Sequence, residues 1–264
     1  MLVEPDRTPY DLHFRLLGFP VRVHPWFWLG AVLLGANTLN LGVEILAIWV
    51  AVVFVSILVH ELGHALAFRR FGSDADVVLY AFGGLAVPTH MIAGRWRRIA
   101  VSLAGPCAGF VLAGIVYGSN LGTEWGRAAD GTAPNGRELW YFYRYLIWVN
   151  IVWGVFNLLP VFPLDGGQVS RELCGMRWGT RGKRISLKIS FVVALAMVAY
   201  SIFCVLDDRG MGAGLVKELP WWIPPGSVYT AILFGLLAYE SYQLLQRIEW
   251  TDTHWADDRT SYDR

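Results

Sequence analysis

The sequence predicts an all-α polytopic membrane protein with about six transmembrane helices and a small membrane-associated β segment. Three observations carry that expectation. The 264 residues are 55% hydrophobic and only 16% charged, with mean hydropathy +0.42, whereas soluble domains hold about a quarter charged residues. The apolar residues gather into stretches near the ~20 residues that cross a bilayer as a helix. The 13 Trp and 11 Tyr suit bilayer interfaces, where rings with one polar edge settle at headgroup level.

Taken in chain order, residues 1–25 form a polar lead-in that lacks the short basic-then-apolar form of a cleaved signal peptide. The membrane part, 26–247, divides into spans at 26–40, 43–68, 98–119, 139–160, 184–206 and 228–247. The first is short and is interrupted by Gly35 and Asn37. Between the second and third spans, residues 76–88 are β-branched, carry Gly83 and Gly84, and are too short to cross. They read as extended segments tucked against the protein, since non-helical backbone at membrane depth persists only where it is shielded or faces water. Residues 248–264 are a short polar tail.

Basic residues set the expected orientation. With a cytoplasmic N-terminus, 16 Lys and Arg fall inside and four (Arg127, Arg137, Arg209 and Lys217) fall outside. That bias places both termini in the cytoplasm. A net charge of +1 gives no reason to expect a nucleic-acid partner. The three cysteines, Cys107, Cys174 and Cys204, are scattered and none sits in a C-x-x-C pair. They exclude a disulfide framework and a thiolate zinc site.

The second span ends His60-Glu61-Leu62-Gly63-His64. Two histidines four residues apart share one helix face and can bind one metal ion, and the intervening Glu can reach a metal-bound water. On the cytoplasmic side, the fourth span is broken by Pro160 and Pro163 and ends at Asp165-Gly166-Gly167. Here the glycines free the backbone to turn and Asp165 caps the next helix or, with His60 and His64, completes an open catalytic zinc site. Asn150 and Asn157, seven apart, share a face. Asn150 suits helix packing at least as well as a catalytic role. Asn157, nearer the break, suits contact with a substrate backbone or an oxyanion. His24 and His90 read as interface or loop histidines. The rival reading is a transporter or ion-conducting protein whose buried His and Asp move ions.

HELGH at 60–64 and NLLPVFPLDGG at 157–167 resemble the site-2 protease family of intramembrane zinc metalloproteases. Phe82-Gly83-Gly84 is similar to the glycine pair after that family's zinc helix, and Ser102-Leu103-Ala104-Gly105-Pro106 to its A-G-P segment. Residues 18–25 are similar to the lead-in of the bacterial sporulation-type branch. The resemblance implies one zinc per chain on His60, His64 and Asp165, with Glu61 as catalytic base and Asn157 as a second catalytic contact. It also implies cleavage of single-pass membrane proteins within or near their transmembrane helix, in a cell membrane that is a bacterial inner membrane in that branch.

Overall fold

The computed structural model describes residues 5–81, 83–120, 136–179, 181–209 and 226–261. Phe82, Arg127 and Lys217, which the sequence reading used, lie outside the described residues. Two compact units divide the chain, Leu2–Asn157 and Leu158–Arg264.

The first unit opens with strands β1 (Leu12–Leu16) and β2 (Phe19–Val23). The tight turn between them uses positive φ at Leu17 and Gly18. Helix α1 (Pro25–Leu34) follows, then a 3₁₀ turn (Ala36–Leu41) and α2 (Val43–Arg70). Strands β3 (Ala75–Tyr80) and β4 (Gly83–Pro88) lead to α3 (Arg95–Asn120) and α4 (Gly136–Asn157). The second unit holds α5 (Asp165–Trp178), α6 (Arg181–Asp208) and α7 (Val228–Ser261).

Three of these helices, α2, α3 and α6, are long and apolar enough to cross a membrane, with window hydropathies of 2.5, 2.1 and 2.5. α2 also carries Glu44 in its first turn and Arg69 and Arg70 in its last, signs that suit the helix dipole. The expected first span is not one helix. α1 has 10 residues, about 15 Å of helix, and Gly35 separates it from the 3₁₀ turn. The expected polar tail continues α7 as helix to Ser261.

The four strands form one sheet in the order β1-β2-β3-β4. β1–β2 and β3–β4 are antiparallel, while β2–β3 is parallel with Val21 opposite Val77 and Val23 opposite Leu79. A parallel pair needs a crossover, and α1, the 3₁₀ turn and α2 supply it. The chain therefore leaves the sheet, runs back along α2, and returns through α2. Two contacts show this antiparallel course: Trp49 Nε1 donates to Ala31 O at 3.0 Å, and a Cβ at Gly35 would stand 2.1 Å from the Trp49 ring.

Strand alternation sends Phe19, Val21, Val23, Val77 and Leu79, all 0–1% exposed, to one face. They join Phe27, Val52, Ile57, Leu62, Ala65 and Val149 in one core. The opposite face carries His13, Arg15, Pro20, Arg22 and Asp76. His24, read from sequence as an ordinary loop histidine, is 5% exposed and caps α1: its Nδ1 accepts from Trp26 N at 3.3 Å.

α2 and α3 approach closely because small residues line their contact. A Cβ at Gly63 would lie 2.5 Å from Ala104 O and 2.8 Å from Ala108 Cβ. Lipid tails are as apolar as leucine, so helices in a bilayer associate by such close packing and by hydrogen bonds. Asn150 supplies a bond of that kind: its Nδ2 donates to Ser56 Oγ on α2 at 2.9 Å and to Leu146 O at 2.7 Å.

Candidate active site

α2 presents His60, Glu61 and His64 at 3%, 5% and 7% exposure, and every residue from His60 to Ala65 is buried. Charged and polar groups on a long apolar helix survive burial only with partners. The sequence spacing puts the two imidazoles one turn apart, with ring centroids 4.9 Å apart and Nε2 atoms 3.2 Å apart.

α3 fixes how these rings stand. His64 Nδ1 lies 2.7 Å from Val101 O. A carbonyl only accepts, so Nδ1 carries the proton and, in the neutral ring, Nε2 keeps its lone pair towards His60. Both rings sit over Gly105, where a Cβ would stand 2.2 Å from His64 Nε2 and 2.8 Å from His60 Nε2. The glycine of the A-G-P segment thus leaves room for both donor atoms at one point.

β4 approaches the same helix turn from the sheet. A Cβ at Gly84 would lie 2.3 Å from Glu61 Cγ and 2.6 Å from Oε1. Gly83 has φ +131, a conformation that favours glycine, and a Cβ there would stand 2.8 Å from the Trp153 ring. The glycine pair therefore does two jobs: the first turns the strand and the second lets its backbone meet the Glu61 carboxylate.

Two imidazole nitrogens 3.2 Å apart suit zinc. At Zn–N of about 2.0–2.1 Å, tetrahedral ligands stand about 3.3 Å from each other. The donor type, the proton placement on His64 and the space at Gly105 all fit that ion.

Asn157 is the last residue of α4 and is half-buried, and its Nδ2 donates to Trp153 O at 2.9 Å. The amide has a second N–H in hand.

In the second unit the P-x-x-P segment folds tightly before α5. Val161 is fully buried, Val161 N donates to Leu159 O at 2.7 Å, and Leu164 N donates to Val161 O at 2.8 Å. The Phe162–Pro163 peptide is cis. Asp165 is 8% exposed. It is the first residue of α5 and not its cap; Leu164 holds the N-cap position, without a side-chain bond. The two glycines also act differently from the sequence expectation. Neither has positive φ among the described residues. They matter because a Cβ at Gly166 would lie 2.1 Å from Leu158 O, and one at Gly167 would lie 2.5 Å from Phe162 N. The helix start packs directly on the loop that precedes it.

Sequence reasoning missed the group that anchors this loop. Ser190 on α6 is fully buried, and its Oγ accepts from Phe162 N at 2.8 Å and lies 2.7 Å from Ser241 Oγ on α7. Two serines 51 residues apart carry no local signal of their partnership. The nearest hint is a hydroxyl inside each apolar span.

Residues 48–125 and 127–200 match peptidase family M50. A zinc metalloprotease of Methanocaldococcus jannaschii is 27% identical over 199 residues, 72% of this chain and 53% of its own length. A Synechocystis relative is 30% identical over 187 residues, 64% of this chain and 45% of its own. The chain thus spans about half the length of these curated relatives. A site-2 protease from Methanocaldococcus jannaschii shares the fold, with TM-score 0.52 and 20% identity over 89% of this chain and 95% of that one. The motifs at 60–64 and 157–167, the paired glycines and the A-G-P segment converge with these matches, and the chain belongs to peptidase family M50.

Proposed function

We propose that this chain is an intramembrane zinc metalloprotease that hydrolyses peptide bonds within or near the transmembrane helices of single-pass membrane proteins. The observation that carries the reading is the buried His60–Glu61–His64 turn inside α2, a helix apolar enough to cross the bilayer. His60, His64 and Asp165 would hold one zinc. When bound, zinc polarises a carbonyl and makes water acidic near neutral pH. Glu61 takes the proton of the attacking water and returns it to the leaving amine. The second N–H of Asn157 meets the substrate backbone or the developing oxyanion.

A transmembrane substrate must unwind first, because helical carbonyls are already bonded to the N–H four residues on. β4 stands at one edge of the sheet and its Gly84 backbone touches Glu61. An unwound segment that adds as a strand to that edge is delivered to the base.

The chain crosses the membrane six times with both termini cytoplasmic. α1 and the 3₁₀ turn together rise about 27 Å, close to the ~30 Å hydrocarbon thickness, and act as the first crossing in broken form. Zinc analysis of the purified full chain should find about one ion per chain. Glu61→Gln should keep that zinc, lose cleavage, and accumulate uncut membrane proteins. Full activity in Glu61→Gln would sink the mechanism.

A further inference from the structure

The sheet face opposite the core carries a cluster of charged side chains. A cavity of about 330 Å³ opens there, lined by Arg7, His13, Arg15, Pro20, Arg22 and Asp76 among others. Its cations are not equivalent. The Arg22 guanidinium is 6% exposed and committed, donating to Asp11 Oδ2 at 3.0 Å and to Pro5 O at 3.1 Å. His13 is tied by Nδ1 to Asp11 O at 2.9 Å. The side chains of Arg7, Arg15 and Asp76 make no hydrogen bond or ion pair among the described residues.

The register explains why Arg15 and Asp76 stay apart. Arg15 pairs with Pro20 on β2. Asp76 occupies the position before Val77, which pairs with Val21, so it lies across β2 from Arg15 in the same row. Two strand spacings separate them by about 10 Å. Pro20, whose side chain is short, forms the floor between. The site is a notch with free guanidinium on one wall and free carboxylate on the other.

Its place in the fold puts it at a membrane surface. α2 ends in Arg69 and Arg70, and basic residues at the end of an apolar span mark headgroup level. Arg69 NH1 donates to Leu17 O at 2.9 Å, and its guanidinium stacks 3.5 Å over the Phe19 ring. The β1–β2 hairpin is thereby fastened to that end of α2. The same hairpin exposes Leu12 at 50% and Leu17 at 61%, side chains suited to lipid.

From these observations we propose that the notch binds the headgroup of a zwitterionic phospholipid, phosphoethanolamine, with the phosphate on Arg7 and Arg15 and the ammonium on Asp76. A simple anion would leave Asp76 facing like charge. A headgroup with phosphate and ammonium two carbons apart satisfies both walls.

The test uses the full chain in detergent, titrated by native mass spectrometry with four probes: dihexanoyl phosphatidylethanolamine, dihexanoyl phosphatidylglycerol, O-phosphoethanolamine and inorganic phosphate. The ethanolamine lipid should bind about fivefold tighter than the glycerol lipid, the worth of one partly exposed ion pair. Asp76→Asn should erase that preference, and Asp76→Glu should restore it. The double variant Arg7→Ala with Arg15→Ala should weaken both lipids by at least about fivefold. Arg7, Arg15 and Asp76 are all exposed, and thermal melting checks that each variant is folded. Equal binding of the two lipids by the wild type, a preference that survives Asp76→Asn, or inorganic phosphate binding as tightly as O-phosphoethanolamine each overturns the proposal.

Discussion

Gly84 of β4 and Glu61 of α2 are in direct contact: a methyl group at Gly84 would stand 2.3 Å from Glu61 Cγ and 2.6 Å from its Oε1. The strand backbone is thus one wall of the space in which the carboxylate sits. Gly84 does not have positive φ among the described residues, so its constraint is purely steric.

Gly84→Ala should therefore fold and still cripple the proposed cleavage. The carboxylate must shift by about 1 Å, and a displacement of that size costs about 10²-fold in rate. Cleavage of a reconstituted membrane substrate measures the loss, and zinc content should stay near one per chain. Activity within a factor of two of wild type would separate Glu61 from the strand.

Gly105→Ala should act on the metal instead. Its Cβ would fall 2.2 Å from His64 Nε2 and 2.8 Å from His60 Nε2, so at least one ring must turn away. Zinc affinity should drop by at least 10–100-fold, as when a ligand loses its support. Gly118→Ala is the control on the same helix, with nothing within 4 Å of its added Cβ. It should be neutral or slightly stabilising. Competition with a zinc-responsive dye reads both.

Ser190→Ala should loosen the loop before Asp165. It removes the acceptor of Phe162 N and the partner of Ser241 Oγ and leaves a part-buried N–H unpaired. Such a group costs about 1–3 kcal/mol, which should appear as a lower melting temperature and weaker zinc binding. Ser190→Thr keeps the hydroxyl and should recover most of the zinc affinity. If Ser190→Ala binds zinc as wild type does, the loop is held by its glycine contacts alone.

The N-terminal hairpin should be sensitive to acid. Burial alone would raise the Asp11 pKa, but hydrogen bonds from the Thr8 hydroxyl, the Arg22 guanidinium and the Thr8 backbone N–H, with the Arg22 charge, outweigh it and hold it at about 2. The folded value lies below the ordinary 3.8. The stabilisation is therefore complete above about pH 4 and is lost as pH falls towards 2. Hydrogen exchange at β1 and β2 should quicken across that window, and Asp11→Asn should remove the dependence.

How far the sequence reaches is clearest residue by residue. HELGH declares itself because helical periodicity alone brings His60 and His64 together and sets Glu61 beside them. Residues 76–88 declare themselves as strands because β-branched residues and glycines fit nothing else of that length. Asp165 was expected as the helix cap or as the third ligand; its place at the first turn of α5 became visible only in the fold, because an N-cap differs from the next residue by backbone angles and not by composition. The same holds for Gly166 and Gly167, which read as hinges but serve as contact points, since a missing Cβ means nothing until the facing backbone is known.

By itself, then, the sequence determined the apolar helices, the histidine pair and the family, all properties of neighbours along the chain or of overall composition. Only the tertiary structure decided which backbone meets Glu61, which carbonyl sets the proton on His64, which serine holds Phe162, and that Arg15 and Asp76 face each other unpaired across Pro20. Those relationships join residues distant in the chain, and their geometry depends on strand register and on ångström-scale packing of helices that no local pattern encodes.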